Sequence, residues 1–276
     1  MICIENLSFS YGESIVLKDI TMKLEDGRIY GLLGENGVGK TTLLTLLSGL
    51  KKPKTGKIVI DGQSPFDRKP SLLSEIYYLS DEVAEANMAA IEYARNYGKF
   101  WNNFSLEKFT EVMNVLENDP AKKMNQMSCG QLKKTHIAFA LACNTKYLFM
   151  DEPTNGLDIP SKAQFRKALM KYTREDSAVL ISTHQVRDLE SVIDPIIILD
   201  KQQVLLNASV QEITEKLYFD YSSEVQLDAL YTEMIPGGNI QVMLNTAGED
   251  SKVNIEALFN TVHKHKELML DTFSKQ

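Results

Sequence analysis

Residues 28–50 read RIYGLLGENGVGKTTLLTLLSGL, and the reading of that stretch decides the fold. Its apolar run ending at Leu33 fits a buried parallel strand, and the leucines at 43, 44, 46, 47 and 50 follow helical spacing. Between them Gly34-Glu35-Asn36-Gly37-Val38-Gly39-Lys40-Thr41 fits G-x-x-x-x-G-K-[ST]. Glycines give such a loop backbone conformations closed to other residues, so that successive N–H groups turn inward on phosphate oxygens. The helix that starts there adds the positive end of its dipole. In that setting Lys40 reaches the outer phosphates as a point charge, the Thr41 hydroxyl ligates Mg²⁺ and Thr42 hydrogen-bonds the inner phosphates. Strand before and helix after is the context that a bare pattern match lacks.

The 276 residues suffice for one generous core plus a small appendage. With 43% hydrophobic and 24% charged residues no class other than an ordinary globular one is indicated. A formal net charge of -7 argues against a general nucleic-acid binder, which needs a basic surface. The opening MICIENLSFSYGE has an early acidic residue and no long apolar core, which predicts neither a signal peptide nor an anchor and hence a cytoplasmic chain. The longest apolar runs, such as Ile137 to Cys143, fall far short of the roughly 20 residues that span a bilayer. Cys3, Cys129 and Cys143 are not spaced as metal ligands and suit a reducing compartment.

Residues 2 to 25 alternate apolar and polar positions and predict an antiparallel β region. Tyr11, just before its turn, offers a face on which a base can stack, although a turn tyrosine taken alone is more often structural. Short strands are expected at Lys57–Ile60 and Ile76–Leu79, then helical pattern from Asp81 to about Lys134. The aromatics crowded there, from Tyr93 to Phe109, read as the core of a helical subdomain rather than an exposed docking patch. Ser128 is a good helix N-cap, and the run Lys146 to Pro153 is a buried strand ending in Asp151 and Glu152. Paired acids at the tip of an apolar strand are costly unless a metal or a reaction needs them. Asp158 follows in a loop, then a helix over Ser161–Thr173 and the strand Ala178–Ile181, which runs into Ser182-Thr183-His184. A helix is expected over Val186–Val192 and two strands at Ile196–Leu199 and Val204–Leu206. Beyond Ser209 the texture changes to a helix (Val210–Leu217), strands at Glu224–Leu227 and Ile240–Leu244, and a helix over Asn254–His265, with no chemical motif among them.

The order of these elements resembles the ATP-binding cassette of ABC transporters over about residues 1 to 208, and the remainder resembles the C-terminal extension on ATPases of ABC-2-type exporters. The resemblance implies an α/β fold: a P-loop NTPase core of mixed, mainly parallel sheet with helices, an antiparallel β subdomain, a helical subdomain at about 82–140 and a small α+β extension at 209–276. It makes Gly34 to Thr42 the Walker A loop and Tyr11 the base-stacking residue. Ser128, Gly130 and Gln131 become the signature loop that contacts the γ-phosphate held by the opposite subunit. Asp151 becomes the Walker B acid on the Mg²⁺ shell, Glu152 the base, Asp158 the D-loop acid and His184 the switch histidine. Two departures stand out. The family's LSGGQ is Met127-Ser128-Cys129-Gly130-Gln131 here, which puts Cys129 where glycine gives the freest backbone and predicts weaker closure. Asp81 stands where Gln or Glu is usual, one methylene short for reaching the metal.

What the resemblance implies is an ATPase subunit of an exporter that dimerises, with itself or a paired cassette, around two ATP–Mg²⁺ and drives a separate transmembrane permease from the inner face of the membrane. Direct nucleic-acid binding is not expected. Two other readings stay open on the residues: a soluble ATPase of this type acting on the ribosome or nucleic acid, and a P-loop phosphotransferase.

Overall fold

The computed structural model describes residues 1–273. Strands β1 (Ile2–Tyr11) and β2 (Ser14–Leu24) form a hairpin closed by the two-residue turn Gly12-Glu13. β3 (Ile29–Leu33) leads through the glycine loop into α1 (Lys40–Leu47), and β4 (Thr55–Ile60) then returns to pair antiparallel with β1. A short α2 (Pro70–Leu73) precedes β5 (Ile76–Leu79). The helical segment holds α3 (Ala90–Tyr97), α4 (Leu106–Val115) and α5 (Cys129–Ala142), with non-helical chain between them. β6 (Tyr147–Asp151), α6 (Ile159–Tyr172), β7 (Ala178–Thr183), β8 (Ile196–Asp200) and β9 (Gln203–Ala208) complete a six-stranded sheet in the order β5-β6-β7-β3-β8-β9. Only β9 runs antiparallel in it, after a tight turn in which Lys201 and Gln202 both take positive φ.

Side chains alternate faces along each strand, so the sheet feeds two apolar layers. Tyr147, Phe149, Leu180, Ile197 and Leu199 face the layer shared with α1 and the antiparallel sheet β2-β1-β4. Leu148, Met150, Val179, Ile181, Ile196 and Ile198 face the other, under α5 and α6. Each of these fully buried side chains contributes roughly 2 kcal/mol of transfer free energy.

The described residues continue through α7 (Val210–Lys216), β10 (Leu217–Ser222), β11 (Tyr231–Ile235), β12 (Gly238–Leu244), α8 (Ile255–Lys264) and α9 (Lys266–Phe273), with the three strands in a small antiparallel sheet. Ile213, Phe219, Val242, Leu258, Val262 and Met269 belong to the same buried cluster as Ile193, Ile196 and Ile198. The C-terminal segment therefore completes the core on one face of the central sheet.

Several expectations fail locally, each for a visible reason. Only a single 3-10 turn, Val186–Asp188, replaces the helix expected to reach Val192. The Asp188 carbonyl is taken by Arg166 Nη1 at 2.9 Å instead of a helical N–H. Residues 224–227 form a loop, because the amide of the fully buried Gln241 accepts from Gln226 N–H at 2.7 Å and donates to the Glu224 carbonyl at 2.8 Å. In the helical segment Phe109, Val112, Met113 and Leu116 are fully buried and Tyr93, Trp101 and Phe104 ring Phe139, as expected of a core. Tyr97 and Phe100 are exposed.

Candidate functional site

Parallel strands deliver their C-terminal ends to one edge of the sheet: Leu33 lies opposite Thr183, and Asp151 opposite Ser182. The residues that follow those ends form a cleft of about 430 Å³, lined by Tyr11, Val16, Asn36, Gly37, Gly39, Lys40, Thr41, Thr42, Asp81, Asp151 and Glu152. Such a position, outside the carboxyl ends of the strands, is where open α/β sheets bind ligands.

The loop's shape depends on two glycines above all. Gly39 takes φ 111° as the residue before α1, a conformation that L side chains rarely adopt. Gly34 has ordinary dihedrals but no room: a Cβ there would lie 2.5 Å from the Leu199 carbonyl oxygen. Gly34→Ala is therefore expected to push the loop off β8, costing about 1–3 kcal/mol of stability and weakening nucleotide binding. Thermal melting and nucleotide titration check it; an unchanged melting temperature with unchanged affinity contradicts it.

Lys40 Nζ is nearly buried and donates to the Gly34 carbonyl at 2.7 Å and the Glu35 carbonyl at 3.1 Å, with Glu152 Oε1 at 3.7 Å. Burial pulls its pKa below the ordinary lysine value, against the opposing pull of Glu152 and Asp151. Anionic phosphates beside it would favour the charged form. Asp151 accepts hydrogen bonds from Ser182 Oγ at 2.5 Å and Thr41 Oγ1 at 2.6 Å, with Tyr78 Oη at 3.5 Å. Burial, then the carboxylate of Asp151, pushes the Tyr78 phenol well above its usual range, so it stays a donor.

Glu152 sits just past β6 in the left-handed region, at φ 44°. Its N–H donates to both the carbonyl and the hydroxyl of Ser182, at 3.1 Å each. The side chain is largely buried, with Oε1 at 3.0 Å from His184 Nδ1 and Oε2 accepting the His184 N–H at 3.3 Å. A non-glycine residue held at positive φ is uncommon and costs of order 1 kcal/mol, which marks the position as one the surroundings impose. Tyr11 is about half exposed at the cleft mouth, its hydroxyl 3.3 Å from Thr42 Oγ1 and Lys51 Nζ 4.4 Å from its ring centroid.

Asp81 lines the cleft, but its carboxylate is engaged by Lys133 Nζ at 3.0 Å and by Asn155 Nδ2 at 3.3 Å. Ser128, Gly130, Gln131 and Asp158 lie outside the cleft. Ser128 and Gln131 cap α5 reciprocally, and Asp158 caps α6 by accepting from Ser161 N–H at 2.9 Å. Hydrogen bonds from Ser161 hold the Asp158 carboxyl below the usual range. The two caps are neighbours, since a Cβ on Gly130 would lie 3.6 Å from the Gly156 carbonyl. Cys129 is the first residue of α5 and is absent from the positive-φ positions, so the backbone freedom of glycine is not used there. The expected penalty on closure from that residue has no backbone origin. Sequence reasoning missed Ser182, Tyr78, Val16 and Lys51; of these, Ser182 was within reach as the polar residue at the end of the apolar strand beside Asp151.

Among the described residues no group of three His, Cys, Asp or Glu could hold a metal by itself. Mg²⁺ bound with a nucleotide needs no such cage, because it takes one or two protein oxygens and completes its shell from phosphates and water. The adjacent oxygens of Thr41 and Asp151 at the loop fit that requirement.

The family model of the ABC transporter matches residues 17–155, half of the chain and the part that holds the loop, Asp151 and Glu152. The chain belongs to the ABC transporter family. YdbJ of Bacillus subtilis (strain 168), an ABC transporter ATP-binding protein, is 31% identical over 222 residues, covering 77% of this chain and 71% of its own. YtrB of the same organism, also an ABC transporter ATP-binding protein, is 28% identical over 258 residues, covering 90% and 84%, a reach that exceeds the cassette alone. In fold, the chain is similar to the dimeric post-hydrolysis state of the ATP-binding cassette MJ0796 bound to ADP and Pi, with TM-score 0.66 and 24% identity over 76% of this chain and 98% of that one. This member of the ABC transporter family is accordingly an ATP-binding and ATP-hydrolysing subunit.

Proposed function

We propose that this ABC ATPase binds ATP–Mg²⁺ in the 430 Å³ cleft, closes as a dimer around two nucleotides, and drives a separately encoded permease, in the export direction. The observation that carries the reading is the placement of Glu152, fixed between Lys40 and His184 at the end of β6. From there its carboxylate can take the proton of a water whose oxygen bonds to the γ-phosphorus in line, as the bond from that phosphorus to the β-phosphate oxygen breaks and ADP leaves with the electron pair. Lys40 and the loop N–H groups stabilise the charge that develops on the transferring oxygens. Thr41 and Asp151 would hold Mg²⁺, which would supply further neutralisation of the phosphate charge. Ser182 and Tyr78 orient Asp151, and Tyr11 offers its face to the base. Ser128, Gly130, Gln131 and Asp158, which this cleft does not use, serve the nucleotide of the opposite subunit.

Within that reading residues 1–208 are the cassette, with its helical subdomain at about 82–140, and 209–276 an accessory module. Export rests on the likeness of that module to the extension of ABC-2-type exporter ATPases. Among the described residues no helix is long and apolar enough to cross a membrane, so attachment to the membrane's inner face would come through the permease. Isolation of the complex from membranes and identification of the companion chain tests the assignment to a permease; recovery with ribosomes instead would overturn it.

Dimer closure has its own readout at Cys129, an exposed thiol on the signature helix. In a Cys3→Ala, Cys143→Ala, Glu152→Gln background, thiol labelling of Cys129 is expected to fall severalfold on addition of ATP–Mg²⁺. Equal rates with and without nucleotide would count against the closed dimer.

A further inference from the structure

The C-terminal segment carries no chemical motif, yet it grips the two pieces of chain that flank the phosphate loop. The first is the turn after His184. Helix α8 packs against Val186–Asp188, and Glu256 Oε2 accepts from Arg187 Nε at 2.7 Å and from its terminal nitrogen at 2.5 Å. A cavity of about 230 Å³ lies there, with Gly34, His184 and Val186 on one side and Glu256 and Phe259 of α8 on the other. The second is the end of β8. The Leu199 carbonyl is the group that fills the space beside Gly34, and the next residue, Asp200, is buried with its carboxylate bonded to Lys266 of α9 and 3.6 Å from His263 Nε2.

We propose that α8 is a positioning element for His184, with Glu256 acting on it through Arg187, so that the state of the C-terminal segment is expressed in the rate of ATP turnover. The argument is one of leverage. His184 touches Glu152 through both its backbone N–H and its ring, and the residues directly after it have no helix of their own to fix them. Their placement comes from packing against α6 and α8, and the α8 side carries the Arg187–Glu256 pair. An exposed ion pair of this kind adds little to stability, so a change at Glu256 is expected to leave the fold intact and to move the chemistry. This inference rests on the reading of His184 given above.

The test uses the full chain and steady-state kinetics with ATP–Mg²⁺. Glu256→Arg and Arg187→Glu are each expected to lower kcat about three- to tenfold, with KM for ATP and the melting temperature little changed. The charge-reversed pair, carrying both substitutions, is expected to recover most of the lost kcat. His184→Ala is measured alongside. If it keeps turnover, the reading of His184 itself fails and this inference with it. If it loses turnover while both single reversals retain full kcat, the inference is overturned and the reading of the site stands. Should a single reversal lower the melting temperature as well, the pair decides: restored kcat supports positioning, and no restoration overturns it.

Discussion

Glu152→Gln should bind ATP and hydrolyse it about 10²–10⁴ times more slowly, the loss expected when a general base is removed. The amide keeps the shape of the side chain and still accepts the His184 N–H, and glutamine meets the backbone demand of φ 44° no worse than glutamate does. What it loses is the basicity that takes a proton from the attacking water. It also removes one negative charge from beside the γ-phosphate, so the nucleotide-bound dimer should accumulate instead of cycling. Size exclusion with ATP–Mg²⁺ is expected to show dimer for the variant and mostly monomer for the wild type. If Glu152 only caps the end of β6, the change would cost about 1 kcal/mol or less and leave turnover within a few-fold. Single-turnover hydrolysis separates the two, and near-normal chemistry would sink the mechanism.

Lys40→Ala is expected to abolish useful ATP affinity while leaving the protein folded. Lys40 is buried but lines the cleft, so its truncation enlarges that cleft rather than emptying an apolar core. Its ammonium is the cation nearest the loop carbonyls of Gly34 and Glu35 and would turn from them to the outer phosphates. Hydrogen bonds to charged groups are worth about 1.5–3 kcal/mol each, which places the loss in Kd on the order of 10- to 100-fold or more. The variant also leaves the Glu152 carboxylate without its cation, adding repulsion toward the phosphates. Titration with a fluorescent ATP analogue measures it. Affinity within twofold of wild type, with normal turnover, would remove Lys40 from the site.

The site was legible because its chemistry is local in sequence. Gly34 to Thr42 is contiguous, and Asp151, Glu152 and His184 each end or follow a strand whose apolar run announces it. The residues that escaped are those whose role depends on a partner strand. Tyr78 points at Asp151 only because β5 lies beside β6, and Ser182 meets it only because β7 lies on the other side. The departure at Asp81 was legible as a type of residue and not as a contact: its engagement by Lys133 crosses from the β5 loop to α5. In the C-terminal segment the sequence misled. β10 follows α7 with no turn residue between them, β11 is a half-exposed edge strand whose residues Tyr231 to Ile235 do not alternate apolar and polar, and α9 is separated from α8 by His265 alone. A buried glutamine amide can also hold an irregular loop, as Gln241 does over residues 224–227, and no periodicity reveals that.

The core shared between the central sheet and the last helices has a consequence for the order in which the molecule is made. Translation releases the phosphate loop well before α8 and α9, yet Leu258, Val262 and Met269 supply part of the cover for the face that carries Ile196 and Ile198. A growing chain that has reached Ala208 therefore holds every residue that lines the candidate cleft on a sheet with one face incompletely roofed. Domains complete their cooperative folding as units, and here the unit closes only when the C-terminal helices arrive. Arrested chains ending near Ala208 should be more protease-sensitive around β8 than the finished protein, and release of the last helices should bring protection to that strand and to the loop beside Gly34 together.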